Sequence, residues 1–510
     1  MKAQFLSALK LSVLFLCMSG LLNAAESPAP TNFNVRNFGA VGDGTHLDNP
    51  AIDRAIAACA EAGGGTVLVP AGTYLSGSIH LRSNIHLLVD AGATILGAPQ
   101  KLHAYDFTEP WTNNPYQDGG HCYFHNSLIW GENLTNVSIT GSGTINGGGL
   151  VRGDGLLNKM CGFNAELRNL SNYGAEEKDG AVRLGNKAVA LKLCKNVLIR
   201  DVTIAHGGHF AILVTGCDNL TVDNVTMDTD RDGIDIDCCR NTMVSNCRIN
   251  SPNDDGLCPK STYALGEIRP TENLTIVNCQ VSGFQEGTLI DGTMKTKAGG
   301  YGRINCGTCN WPRCSCRGFA LEEVDGAIME NIVVNNLTMM DVPDYAIYLT
   351  TGKRNRTPGV TTNSRMRNVL ISNVIADGVG KMSGIQIMGL PEQPIEGVRL
   401  ENIRITSHGG GTQQDAAINP KELGTGYPEP GRIGTLPAYG IFARHVKDLE
   451  LANITVNFTT NDLRPAAAFA DIDGLEIDNF IPQLADGVKA AIFADDVRGI
   501  AIRNSPVLQK

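Results

Sequence analysis

One template recurs along this chain and limits what it can fold into. CKNVLIRDVTI from Cys194 returns as CDNLTVDNVTM from Cys217, CRNTMVSNCRI from Cys239 and TENLTIVNCQV from Thr271. Later copies start at Met329, Met366, Ile395 and Val446. Each copy joins a small polar residue to an alternating Val/Ile/Leu run, a polar turn and a second short run. The alternation predicts short strands with one buried face. Asn196, Asn219 and Asn241 stand 23 and then 22 residues apart, and a period of that size belongs to a coiled solenoid rather than a packed globule. The expected fold is all-β, a single right-handed parallel β-helix. Equivalent residues of successive coils then stack, so Asn196, Asn219, Asn241 and Asn273 are expected to form a ladder of side-chain amides with a structural role.

One amphipathic helix is predicted, over residues 49–62, where it would cap the open N-terminal end of the solenoid. Before it, MKAQFLSALKLSVLFLCMSGLLNAA has basic residues, a short apolar stretch and small residues at its end, the pattern of a cleaved secretory signal over residues 1–25. Residues 26–510 are then read as one exported β-helix domain, periplasmic or extracellular, with no membrane association after cleavage. Net charge is −10, and −12 once Lys2 and Lys10 leave: 42 basic residues less those two, against 52 acidic. That balance argues against nucleic acid as a partner, while a locally basic cleft would still admit an acidic sugar.

Most of the 15 cysteines, including Cys194, Cys217, Cys238, Cys247 and Cys279, sit at one place in the apolar pattern and read as small core residues. Cys306, Cys309, Cys314 and Cys316 form a separate cluster that offers either a disulfide or a metal site.

The stretch DRDGIDIDCCRNTMVSNCRINSPNDDGLCPKS, residues 230–261, carries two acidic bursts one coil apart. Stacking brings Asp232 within about 5 Å of Asp254 and Asp255, on one exterior face. Asp235 and Asp237 are open between the same cluster and bonds to turn backbone. Three close carboxylates serve a cation, a solvated patch or acid/base chemistry. For glycosidic cleavage, one protonated carboxyl must meet the leaving oxygen while an ionised one activates water, and mutual repulsion supplies the proton donor.

DRDGIDID, NDDGLCPKS and GRI at Gly302 to Ile304, with the opening FNVRNFGAVGDGTHLDNPAIDRAIAACAEAGGGTVLVPAGTYL, resemble the polygalacturonases of glycoside hydrolase family 28. The resemblance implies a pectin lyase-like β-helix, acting as a monomer on pectic poly- or oligosaccharide. It implies an inverting hydrolase that needs neither cofactor nor metal. It would make Asp254 the general acid, with Asp232 and Asp255 holding and deprotonating the water. Arg303 would bind a substrate carboxylate, Lys260 would offer a substrate-binding cation, and His209 would line the cleft.

Departures from the family pattern point to a changed substrate. Glu286 stands at or near the position of a family histidine, and Asn305 replaces a carboxylate-binding lysine. Pro259 falls inside an expected strand, where it removes a donor. The segment 303–323 is about ten residues shorter than in relatives, implying a rebuilt turn. These changes suggest a rhamnogalacturonan or a substituted oligosaccharide. A polysaccharide lyase, and a β-helix that binds carbohydrate without cleaving it, are the competing readings.

Smaller signals are His206, one coil before Asp232, and Tyr427 in a Pro/Gly-rich loop. An inward-closing loop at Tyr427 would favour attack on chain ends. Trp111 and Tyr116 are candidates to stack on sugar rings, and Arg444 and His445 have no assigned chemistry.

Overall fold

The computed structural model describes residues 32–110, 119–152, 176–179, 181–296, 317–356, 359, 361–381, 383–428 and 430–508. The expectations for the signal segment, Trp111, Tyr116, Arg303, Asn305 and the cysteines of 306–316 fall outside these residues.

The chain winds into a right-handed parallel β-helix, with 30 strands of the described residues joined in one continuous sheet. Each coil adds a strand to each of three faces. Phe210–Thr215, Asp218–Asp223 and Thr226–Asp228 make one coil, and Asp232–Asp237, Arg240–Ser245 and Arg248–Asn250 lie on it in register. Inward residues such as Ile212, Val214, Ile234 and Ile236 are fully buried in a core that runs the length of the solenoid. The helix α1 (Asn49–Glu61) turns Ala51, Ile52, Ala55, Ile56 and Cys59 into the same core, against the first coil.

The amide ladder is present. Asn196 Nδ2 donates to Asn136 Oδ1 at 2.9 Å, Asn219 to Asn196 at 3.0 Å, Asn241 to Asn219 at 3.3 Å and Asn273 to Asn241 at 3.2 Å. All four bend the chain with φ between 55 and 58°, the left-handed region that asparagine tolerates better than other side chains. A second ladder at the next corner, which the repeat did not single out, links Asn278 to Asn246 at 3.3 Å and Asn336 to Asn278 at 3.1 Å.

Cys194, Cys217, Cys247 and Cys279 are buried core residues with free thiols, as expected. Cys239, rather than Cys238, completes that group. Cys238 takes a left-handed turn and its thiol reaches the Thr262 carbonyl at 3.2 Å.

The face that bears the acidic cluster carries β1 (Phe210–Thr215), β2 (Asp232–Asp237), β3 (Leu257–Ser261), β4 (Arg317–Glu323) and β5 (Tyr345–Thr351), paired in that order. β3 pairs directly with β4, and Thr271–Ser282 pairs with Ile328–Met340. β3 and β4 are therefore adjacent in the stack, and the pairing keeps its register from one to the other. Pro259 lies in β3 opposite Ile236, and on its other side pairing with β4 skips Cys258 and Pro259.

Candidate active site

Asp232 opens β2, and Asp255 immediately precedes Gly256 and β3 one coil later. Gly233 donates to the Asp255 carbonyl at 2.8 Å, and Gly256 to the Arg317 carbonyl at 2.9 Å. A Cβ on Gly233 would come within 2.4 Å of Ile249 and 2.5 Å of the Gly256 carbonyl, and one on Gly256 within 2.4 Å of Val281. Only glycine lets the chain turn that tightly into each strand. Asp232-Gly233, Asp255-Gly256 and Arg317-Gly318 thus stack as equivalent corners, with Asp254 beside them.

One oxygen from each of Asp232, Asp254 and Asp255 lies within 4.8 Å of the others, as coil stacking predicts. The expected exterior placement needs correction. Asp232 is 2 % exposed and Asp255 fully buried, while Asp254 keeps 13 % of its side chain accessible. The carboxylates point outward from the coil, but the polypeptide on either side covers them.

Two arginines hold the cluster. Arg231 bonds Asp254, with Nε at 3.0 Å. Arg317 is buried, pairs with both Asp255 and Glu322, and donates to the Pro428 carbonyl at 2.9 Å. Burial, with repulsion from Asp254 and Asp235 added, pushes the Asp232 carboxyl well above the usual range. Burial pushes Asp255 up to about 8 against the pull of Arg317.

Asp235 and Asp237 take different roles. Asp237 accepts from the Thr262 backbone N–H at 2.8 Å and its hydroxyl at 2.6 Å, the turn-bonding arrangement. Asp235 faces Lys260 Nζ at 2.9 Å and His121 Nε2 at 3.0 Å. Although burial opposes ionisation, these partners hold Asp235 below its ordinary range. Lys260 is 6 % exposed and also stands 3.9 Å from Glu322, so its charge is engaged inside the protein. His209 stacks on Phe210 with ring centres 4.2 Å apart, and its Nε2 lies 3.9 Å from Asp232.

Glu286 pairs with Arg152, and His206 Nδ1 lies 3.1 Å from it. Arg152 also stands 3.3 Å from Asp230, and its carbonyl accepts from Arg231 Nη1 at 3.3 Å. The departure at Glu286 thus connects to the carboxylate cluster through two arginines.

Tyr427 lies on the wall of the site. Arg354 and Arg356 sit 5.4 and 5.0 Å from its ring, and the neighbouring Pro428 carbonyl also accepts from Tyr348 at 3.1 Å. Arg444 and His445 tie this same segment down. Arg444 reaches the Pro420 carbonyl at 2.8 Å, and His445 Nε2 lies 3.0 Å from Glu422.

Among the described residues, two groups have the ligand types for a cation: the Asp232, Asp254 and Asp255 cluster, and Asp255 with Cys258 and Glu322. Arg317 already binds Asp255 and Glu322, so a cation in the second group would have to displace a buried guanidinium.

Arg317, His121 and Asp230 escaped the sequence reading. A signal for Arg317 was available: the glycine that follows Asp232 and Asp255 also follows Arg317.

Residues 32–258 match the family described as rhamnogalacturonase A/epimerase, pectate lyase-like, and residues 187–358 match the right-handed β-helix region. The chain is 28 % identical to a probable polygalacturonase of Vitis vinifera over 47 % of each chain. It is 29 % identical to a mannuronan C5-epimerase of Azotobacter vinelandii over 42 % of this chain and 11 % of that one. The alignments span less than half the length of these curated relatives. Among solved structures, the family 28 exopolygalacturonase of Yersinia enterocolitica superposes with a TM-score of 0.56 at 18 % identity, covering 88 % of this chain and 78 % of that one. The chain resembles the polygalacturonases of glycoside hydrolase family 28, and the structural likeness establishes the shared fold.

Proposed function

We propose that this protein is a glycoside hydrolase that cleaves pectic polysaccharide by single displacement at the Asp232, Asp254 and Asp255 cluster. The observation that carries the reading is the convergence of these three carboxylates within 4.8 Å. Likeness to a polygalacturonase supports the substrate class.

Asp254, the member with an accessible side chain, donates its proton to the glycosidic oxygen as the bond to the anomeric carbon breaks. Asp232 and Asp255 hold a water between them; in the reactive form the proton held by the cluster sits on Asp254 and Asp255 is ionised, so Asp255 takes the water's proton while the oxygen attacks that carbon from the opposite face. The raised proton affinities of Asp232 and Asp255 keep protons within the cluster near neutrality. Arg231 positions Asp254, and Arg317 orients Asp255. Secretion to the periplasm or beyond would bring the protein to such a polymer, on which it acts as a monomer.

The cluster is tighter than the roughly 6.5–9.5 Å between carboxyls in most inverting glycosidases, which makes stereochemistry a sharp test. Proton NMR of products in the first minutes of digestion of polygalacturonate and rhamnogalacturonan should show saturated sugars whose new reducing ends have inverted anomeric configuration. A retained anomer would replace the water mechanism with a carboxylate nucleophile. Unsaturated ends would identify a lyase.

A further inference from the structure

We infer that the cavity beside the carboxylate cluster is a subsite for an uncharged sugar residue, with Glu286 as the group that excludes a uronate; the inference rests on the hydrolase reading above. The cavity, of about 190 Å³, has Gly147, Leu150 and Gly208 in its wall and Arg152, His206 and Glu286 as its charged groups. It adjoins the site because Arg152 supports Arg231, which holds Asp254.

The charges in this cavity are already balanced. Arg152 faces both Glu286 and Asp230. His206 lies against Glu286, whose carboxylate raises the imidazole pKa. A sugar carboxylate entering here would meet Glu286 and find the guanidinium occupied, and like charges at that separation repel. Hydroxyls suit the same groups. They donate to the Glu286 carboxylate and accept from the Arg152 guanidinium, charge-assisted bonds stronger than neutral ones. Leu150 supplies an apolar contact for the ring.

Glu286 is held for this task. Buried Asp228 accepts from the backbone N–H of Gly287 at 2.9 Å and of Leu289 and Ile290 at 3.0 Å. Asn250 Oδ1 accepts from Phe284 N–H at 2.8 Å. The segment carrying Glu286 is thus fixed on both sides, as a discriminating group requires.

The test is calorimetric binding in an Asp254→Asn background, so that nothing is cleaved. The probes are an oligomer of alternating rhamnose and galacturonate and an oligogalacturonate of equal length. With Glu286 present, the rhamnose-containing oligomer should bind about tenfold tighter or better, and Glu286→Gln should reduce that preference to about threefold or less by strengthening oligogalacturonate binding. Leu150→Trp, which fills the cavity, should weaken the rhamnose-containing oligomer about tenfold. A preference that neither substitution moves would overturn the subsite and leave the hydrolase reading standing. Failure of every variant to bind either oligomer would overturn both.

Discussion

Arg317 lies one coil above Asp255, and its guanidinium grips that carboxylate inside the protein, with only 2 % of the arginine exposed. The same side chain reaches Glu322 and the Pro428 carbonyl, so one residue joins the carboxylate cluster to the segment covering it. Removing that donor leaves the buried Asp255 and Glu322 carboxyl groups and the Pro428 carbonyl without their shared partner, at a cost of about 3–5 kcal/mol. Arg317→Ala should therefore lower stability by that order in urea titrations and abolish activity. Arg317→Lys should rescue little, because an ammonium cannot span three acceptors.

The asparagine ladder gives a second prediction. Asn219 occupies φ 56° and bonds to the asparagines above and below. Asn219→Ala should lower stability by about 1–2 kcal/mol through backbone strain and lost amide bonds. Asn219→Gly should recover the strain component but not the ladder. Thermal melts of the two variants separate the contributions.

The pH dependence of stability follows from Asp255 and Glu323, both fully buried and both pushed up to about 8, burial being the main cause. Between about pH 4 and 8 the folded protein binds more protons at these groups than the unfolded chain, so their contribution to stability declines as pH rises. Glu323→Gln should flatten the fall in melting temperature across this window. An equal slope in the variant would show that Glu323 does not hold its proton in the folded state.

The outer face of the β1 to β5 stack is covered on both sides of the carboxylate cluster. On one side Phe124 packs with Phe210 and Leu213, and His121 reaches Asp235. On the other, Leu423, Ile433 and Leu436 pack in one cluster with Tyr345 and Tyr348, and Pro428 is bound by Arg317 and Tyr348. A polymer lying along the stack would collide with these segments, whereas a chain end would not. Digestion should release short products while viscosity falls slowly. A rapid viscosity loss at low reducing-end yield would show attack within the chain.

The legible parts of this molecule were those that repeat. The 22- to 23-residue spacing located the coils and the ladder, and the same spacing brought Asp232 to Asp254 and Asp255. Burial was not legible, because the covering segments around His121 and Pro428 lie outside the repeat and return across the face only in three dimensions. Lys260 read as an available cation for the same reason: its partner Asp235 is on the preceding strand, but the segment carrying His121, which reaches the same carboxylate, comes from 114 residues away. The Arg317 corner was hidden by its distance along the chain, 62 residues from Asp255, although the two are neighbours in the stack.

The most direct test of the central claim is reducing-end release from polygalacturonate and rhamnogalacturonan, measured side by side for the native chain and Asp254→Asn. The account predicts release on at least one polymer, lost by about a hundredfold or more in the variant, as expected when a positioned general acid is removed. Release that survives the substitution unchanged would contradict the assignment of Asp254, and no release from either polymer by the native chain would contradict the proposed pectic hydrolase.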